Sequence, residues 1–167
     1  MKIQASRVMA CGIAILTLSL ATYVTANDEH NKYVCSETNP TSICNASTRC
    51  GSDSEPCVVD LKRSGANSAS VKPSIKNVKE NAPFCVKTGM TVTWQSTSKD
   101  TGFVLDFGAS SPFNAPGAII GGSDRPISVV AKRPGCYRFS LGACTSGTVY
   151  GMCGSVDTEL VVSDSGQ

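Results

Sequence analysis

Histidine is nearly absent from this chain: His30 is the single one among 167 residues. It lies near the amino end, ahead of every segment with strand character. A Ser-His-Asp or Cys-His constellation therefore has no way to assemble inside a folded domain. The acidic residues are scattered, and no two have the strand-end spacing of a carboxylate pair. Gly121-Gly122 has no helical segment after it, so it makes no phosphate cradle at a helix N-terminus. Asp106, between Leu105 and Phe107, reads as an ordinary outward polar residue. No catalytic residue emerges, and the chain is not expected to be an enzyme.

Long apolar runs are also lacking. Lys2 and Arg7 precede a short one, Val8 to Leu20, and Val24-Thr25-Ala26 then offers a small-residue cleavage site. A membrane-spanning helix needs about 20 apolar residues, so residues 1–26 read as a signal peptide and the mature chain begins at Asn27. The chain ends without a hydrophobic tail, so no mature membrane anchor is expected. Lys2 and Arg7 fall within the leader and no acidic residue does, which leaves thirteen residues of each sign. Without a basic excess, a nucleic-acid partner is not expected. The location implied is secreted or periplasmic.

Cysteine, by contrast, is plentiful. Nine are present, and Cys11 leaves with the leader, so eight remain. An even number in an oxidising compartment favours four disulfides over thiol chemistry. Cys35, Cys44, Cys50 and Cys57 lie in 27–65, among Ser, Thr, Asn, Asp and Pro. Such a segment buries too little to order itself, so it reads as a loop-dominated extension held by crosslinks. Its cysteines lack the close pairs that zinc sites favour. Asn45-Ala46-Ser47 within it is a glycosylation sequon.

The other four, Cys85, Cys136, Cys144 and Cys153, lie in 66–167. Cys144 and Cys153 flank a Gly-containing loop. They suit a disulfide, with Met152 as apolar filler, or else a soft Cu(I) site with Met152 as thioether; the disulfide is the preferred reading. Cys85 and Cys136 each flank a core-facing residue and should point outward, which suggests a second bridge between them, although four cysteines permit three pairings. No bridge between the 35–57 set and this set is expected.

Sustained 3.6-residue periodicity is missing as well, so little helix is expected beyond the leader. The alternation is that of strands. Phe84 and Val86, then Val92 and Trp94, alternate with polar residues, with Lys87-Thr88-Gly89 as the turn between. Phe103 to Phe107, Ile127 to Ala131, Tyr137 to Leu141 and Val156 to Val162 follow, separated by turn signals. The first strand is either Cys57 to Leu61 or a segment from Val71, with 64–70 as a long turn or a junction. Trp94, in phase with Val92, is expected in the core.

Three of these stretches together resemble the cupredoxin, or plastocyanin-like, family. Pro83 to Trp94 is similar to that family's second strand, glycine turn and third strand. Gly102 to Phe107 falls where the family places its first copper histidine and the strand after it, and Pro134 to Phe139 resembles the penultimate strand leading into the copper loop. The resemblance implies an all-β, antiparallel Greek-key sandwich over 66–167. It also implies where copper ligands would stand. Phe103 takes the first histidine position, Leu141 the cysteine position, and Cys144 the neighbourhood of the second histidine. Only Met152 matches, as an axial thioether. Blue copper needs two imidazoles and a thiolate, so no type 1 site and no cofactor are expected.

The metal candidates that remain are Cys144, Met152, Cys153 and His30. Cleavage after Ala26 puts His30 fourth in the mature chain, one place too late for a square-planar amino-terminal chelate. The function expected is that of a monomeric, non-catalytic binding or structural module, presenting the loops Asn114 to Gly122 and Cys144 to Cys153 to a protein or surface partner. The alternatives are a copper-handling or electron-transfer relative with non-standard ligands, and a secreted inhibitor that blocks a partner with rigid loops.

Overall fold

Alternating apolar and polar residues build nine strands among the residues that the computed structural model describes, 35, 40–115, 117–146 and 153–164. The proposed leader 1–26, His30 and Met152 lie outside the described residues. The strands are β1 (Cys57–Arg63), β2 (Ala69–Pro73), β3 (Phe84–Lys87), β4 (Thr91–Gln95), β5 (Thr101–Asp106), β6 (Ile119–Gly122), β7 (Ile127–Val130), β8 (Gly135–Thr145) and β9 (Cys153–Ser163). A single turn of 3-10 helix, Pro40–Ile43, is the only helical element described.

Two sheets form, in the orders β2-β1-β4-β7 and β3-β9-β8-β5-β6. Their facing sides enclose one core. In β5 the buried residues are Thr101, Phe103 and Leu105, and in β8 they are Tyr137, Phe139, Leu141 and Ala143. That is the period-2 pattern of strands with one face buried. Trp94 is fully buried at the centre. Phe84, Phe107, Phe113 and Phe139 meet it edge-on, with ring centroids 6.4, 6.3, 6.1 and 5.7 Å away. Phe107 stacks on Phe139 at 4.8 Å.

The structure departs from the expected architecture in three places. Pairing is not wholly antiparallel: β1 lies parallel to β4, and β3 parallel to β9. Parallel neighbours require a crossover connection, and here the crossovers are passages of the chain between the two sheets. The Lys87-Thr88-Gly89 turn makes one of them. It joins β3 to β4 in different sheets because Thr88 N–H donates to Ser163 C=O (2.8 Å) while Gly89, at φ 88°, donates to Ala131 C=O (2.8 Å). Each sheet takes one hydrogen bond of the turn.

The second departure is that strand structure begins inside 27–65. Both candidate first strands exist, and β1 pairs with β2 on one side and β4 on the other, so it is a central strand of its sheet. The third concerns the disulfides. All eight cysteines among the described residues are bonded, as Cys35–Cys136, Cys44–Cys85, Cys50–Cys57 and Cys144–Cys153. Cys144 and Cys153 join as proposed. Cys85 and Cys136 do not join each other, and two bridges connect the extension to the sandwich. Val161 is the register partner of both Cys85 and Cys136. They are therefore two strand spacings apart, about 9–10 Å, beyond the roughly 7 Å at which a disulfide closes. The extension lies across that row and supplies a separate partner to each.

Residues 48–50 also close the outer edge of β3. Cys50 N–H donates to Cys85 C=O (2.8 Å), and Cys85 N–H to Thr48 C=O (2.9 Å). Cys50–Cys57 then carries the chain from that edge to the start of β1. Val161 is outward in phase yet only 3% exposed, and the 3-10 turn of the extension packs against its strand.

Candidate interaction surface

Large apolar side chains on the surface are few. Among the described residues only Val104 (39% exposed) and Ile120 (66%) qualify. The register makes them direct cross-strand partners on the outer side of β5 and β6. On the other flank of Val104 stands Gly142 of β8. A Cβ at 142 would come within 3.1 Å of Val104 Cγ1, so the glycine leaves room for the valine to lie flat. The row Gly142–Val104–Ile120 is a level apolar strip at the rim of its sheet.

The next row along the same face contains almost no side chains. Cys153 opposes Cys144, Cys144 opposes Gly102, and Gly102 opposes Gly122. The Cys144–Cys153 bridge and the end of the 114–122 segment thus lie side by side. The fold brings the described ends of both segments proposed from sequence onto one face. An open cleft of about 430 Å³ borders them, with Asp100, Asp124 and Arg125 supplying its charges.

The residues that the cupredoxin resemblance would align with copper ligands differ from this surface. Phe103 and Leu141 are buried, apolar and part of the core, and neither carries a ligand atom. Cys144 is committed to its bridge, and Met152 is outside the described residues. One trio among the described residues, Cys35, Cys136 and Glu159, places three ligand-type atoms within 4.8 Å of one another. Its two sulfurs are bonded together, so as oxidised it presents a carboxylate and no thiolate.

Asn45 is exposed, and its Oδ1 accepts from Ser47 N–H (2.9 Å), fixing the sequon in an Asx-type turn. Asp106 Oδ1 accepts from Gly108 N–H (2.8 Å), which ties the end of β5 to its following turn. An open groove of about 660 Å³ is lined by Ser52 to Pro56 and Lys87 to Thr91, and Lys87 is paired with Asp53 at 3.5 Å. None of these places sets a nucleophile beside a base.

Compared with protein-family models, curated proteins and solved structures, the chain matches none. The surface must be read from its own chemistry.

Sequence reasoning passed over Val104 and Ile120, although a signal was present. Phe103, Leu105 and Phe107 define the inward phase of β5, which leaves Val104 as an apolar residue on the outward phase. Ile120 bears the same relation to buried Ile119. That the two meet depends on the β5–β6 register, which the intervening loop does not encode.

Proposed function

We propose that this protein is an exported, non-catalytic binding module: a cupredoxin-like sandwich without type 1 copper that works through the outer face of β5, β6 and β8. The observation that carries the proposal is the convergence of the only two exposed large apolar side chains described, in one cross-strand pair beside the Cys144–Cys153 bridge. An apolar strip set among glycines is what a flat protein partner can cover without displacing side chains. Support for the cupredoxin-like part comes from the chain passing between sheets at 74–83 and at the Lys87–Gly89 turn, and from the last two strands pairing side by side. Four disulfides suit an oxidising environment, and no described helix is long and apolar enough to cross a membrane. Both agree with secretion or periplasmic residence.

A photo-crosslinking residue in place of Ile120, compared with one in place of exposed Lys72, tests the surface on cells that export the protein. Adducts concentrated at 120 are the expected result. Equal yields at the two positions would remove this face from consideration.

A second reading, copper handling, is favoured by the Cys35, Cys136 and Glu159 trio, which becomes a soft ligand set when its bridge is reduced. Titration with Cu(I) before and after reduction separates it from the first, since a binding module needs no reduction to engage its partner.

A further inference from the structure

The edge strand β6 exposes backbone as well as side chains, and its ladder shows which groups are open. Ser123 N–H donates to Thr101 C=O (2.9 Å), so the position opposite Thr101 is a hydrogen-bonded pair. Bonded and non-bonded pairs alternate along an antiparallel ladder. With Val104 opposite Ile120, the bonded pairs are those at 121 and 119, and the pairs at 122 and 120 are not. Gly122 N–H accordingly turns to Arg125 C=O (3.0 Å). The N–H and C=O of Ile120 point away from β5, toward the open edge of the sheet, and β6 ends the strand order there.

Two of the other sheet edges are covered. Residues 48–50 close β3, and Asn81 closes β2 by donating to Val71 C=O (2.8 Å) and accepting Val71 N–H at its Oδ1 (2.8 Å). Natural edges are also blunted by lysine, proline or inward charge. The window 117–123, Gly-Ala-Ile-Ile-Gly-Gly-Ser, has none of these.

We infer that β6 pairs with β6 of a second copy of this chain, antiparallel about a two-fold axis at Ile120. The inference rests on the reading of this face as an interaction surface and names its partner. A dyad at Ile120 sets the outward N–H of each copy against the outward C=O of the other, so both open groups are satisfied by one residue type. Pairing extends one residue to either side, opposing Ile119 to Gly121, neither charged, and stops at Gly122, whose N–H and C=O are both taken by Arg125. On the outer face the two Ile120 side chains become neighbours, and the row runs Val104, Ile120, Ile120 of the copy, Val104 of the copy. Each five-stranded sheet becomes half of one with ten strands. Three paired residues a side are well short of the roughly 20–30 residues of a standard interface, so the association is weak and depends on concentration.

Sedimentation velocity on the full, oxidised protein over a wide concentration series tests this. Reversible dimers are expected at the upper end. Ile120→Pro removes the outward N–H without touching a β5 hydrogen bond. It should weaken dimerisation by about 10–100-fold, the effect of two backbone hydrogen bonds lost across the dyad. Ile120→Cys should yield a dimer covalently joined at position 120 and reversible by thiol, because a hydrogen-bonded pair sets the Cα atoms about 5.5 Å apart, within disulfide reach. A wild type that stays monomeric throughout overturns the pairing. So does an Ile120→Pro protein that keeps its near-ultraviolet dichroism and still dimerises, or a dimer that Ile120→Cys fails to crosslink. If the wild type is monomeric while the photo-crosslinker at 120 captures another exported protein, self-pairing falls and the surface reading stands.

Discussion

Cys85 and Cys136 stand on either side of Val161 in one row of the larger sheet, close in sequence phase and too far apart to bond. Each takes its partner from the extension instead, Cys44 and Cys35. The extension is thereby part of the sandwich's own stability, because it packs against the strand of Val161 and occupies the β3 edge.

Peptide mapping without reduction should therefore recover Cys35 with Cys136 and Cys44 with Cys85. The loops they close also set an order of effect. Removing Cys35–Cys136, with a separation of 101 residues, frees far more denatured-state entropy than removing Cys50–Cys57, with a separation of 7. The chain-entropy model gives about 4.7 kcal/mol for the first and about 2.4 for the second. Urea unfolding of the two double Cys→Ala variants checks the order. A larger loss from the short loop would mean that burial of Cys50 and Cys57, both fully enclosed, outweighs the loop term.

Trp94 should behave as the keystone of the aromatic cluster. Trp94→Ala is expected to cost about 3–5 kcal/mol, the range for a large buried aromatic, and iodide should not quench the native fluorescence. Its Nε1 has no hydrogen-bond partner among the described residues. Trp94→Phe therefore sacrifices volume but no hydrogen bond, and should cost clearly less than the alanine variant. A loss under about 1 kcal/mol for Trp94→Ala would place the side chain outside the core.

How far the sequence reached follows from what alternation can encode. Val92 with Trp94, Phe103 with Leu105 and Tyr137 with Phe139 announce strands and their inward faces, because a period of two needs only neighbouring residues. Sheet membership is a different kind of fact. Lys87 to Gly89 has the composition of a hairpin turn, yet its hydrogen bonds go to Ser163 and Ala131, residues that only the finished fold brings near. The disulfide register failed for the same reason, since it depends on Val161 pairing with two strands at once. β1 is ambiguous in the sequence because Asp60, Lys62 and Arg63 dilute its apolar residues, although Val59 and Leu61 are fully buried. The proposed binding face is half legible: its two segments are visible in the sequence, and their adjacency is not.

Gly154 offers a sharp test of packing where β9 passes the turn before β2. A Cβ there would run into the backbone carbonyl of Ser68, which has no flexible end to move aside. Gly154→Ala should lose at least about 3 kcal/mol, the upper range for overpacking. At Gly102 the nearest atom to a new Cβ is 3.8 Å away, so Gly102→Ala should stay within about 1 kcal/mol. Thermal melts of the pair are sufficient, and equal melting temperatures would contradict the approach of Ser68 to β9.

Copper should leave the oxidised protein colourless in the region where thiolate-to-copper charge transfer absorbs. Such a band needs a thiolate with imidazoles beside it. Phe103 and Leu141, where the proposed cupredoxin likeness would put ligands, are buried in the core and carry no ligand atom, and Cys144 is bonded to Cys153. An intense band on adding Cu(II) to protein with no free thiol would refute this placement of the ligand positions.

The last test concerns Tyr137, whose acidity departs from its ordinary value. Burial pushes its phenol above 10.0, and the charge of Arg133 opposes part of that effect. The hydroxyl donates to Arg133 C=O (3.0 Å), so the protonated form is the one the fold holds. The unfolded chain consequently gives up this proton first. Between the ordinary and the raised value it binds fewer protons than the native state, and stability falls as pH rises. The contribution is complete below about pH 10 and is lost as pH climbs through the folded value. Tyr137→Phe loses the hydrogen bond and should start about 1 kcal/mol less stable at neutral pH, yet decline more gently above pH 10. Urea midpoints for both proteins from pH 8 upward measure the two slopes. Parallel slopes would show that the alkaline loss arises at other groups and that the Tyr137 hydroxyl is not held in its protonated form.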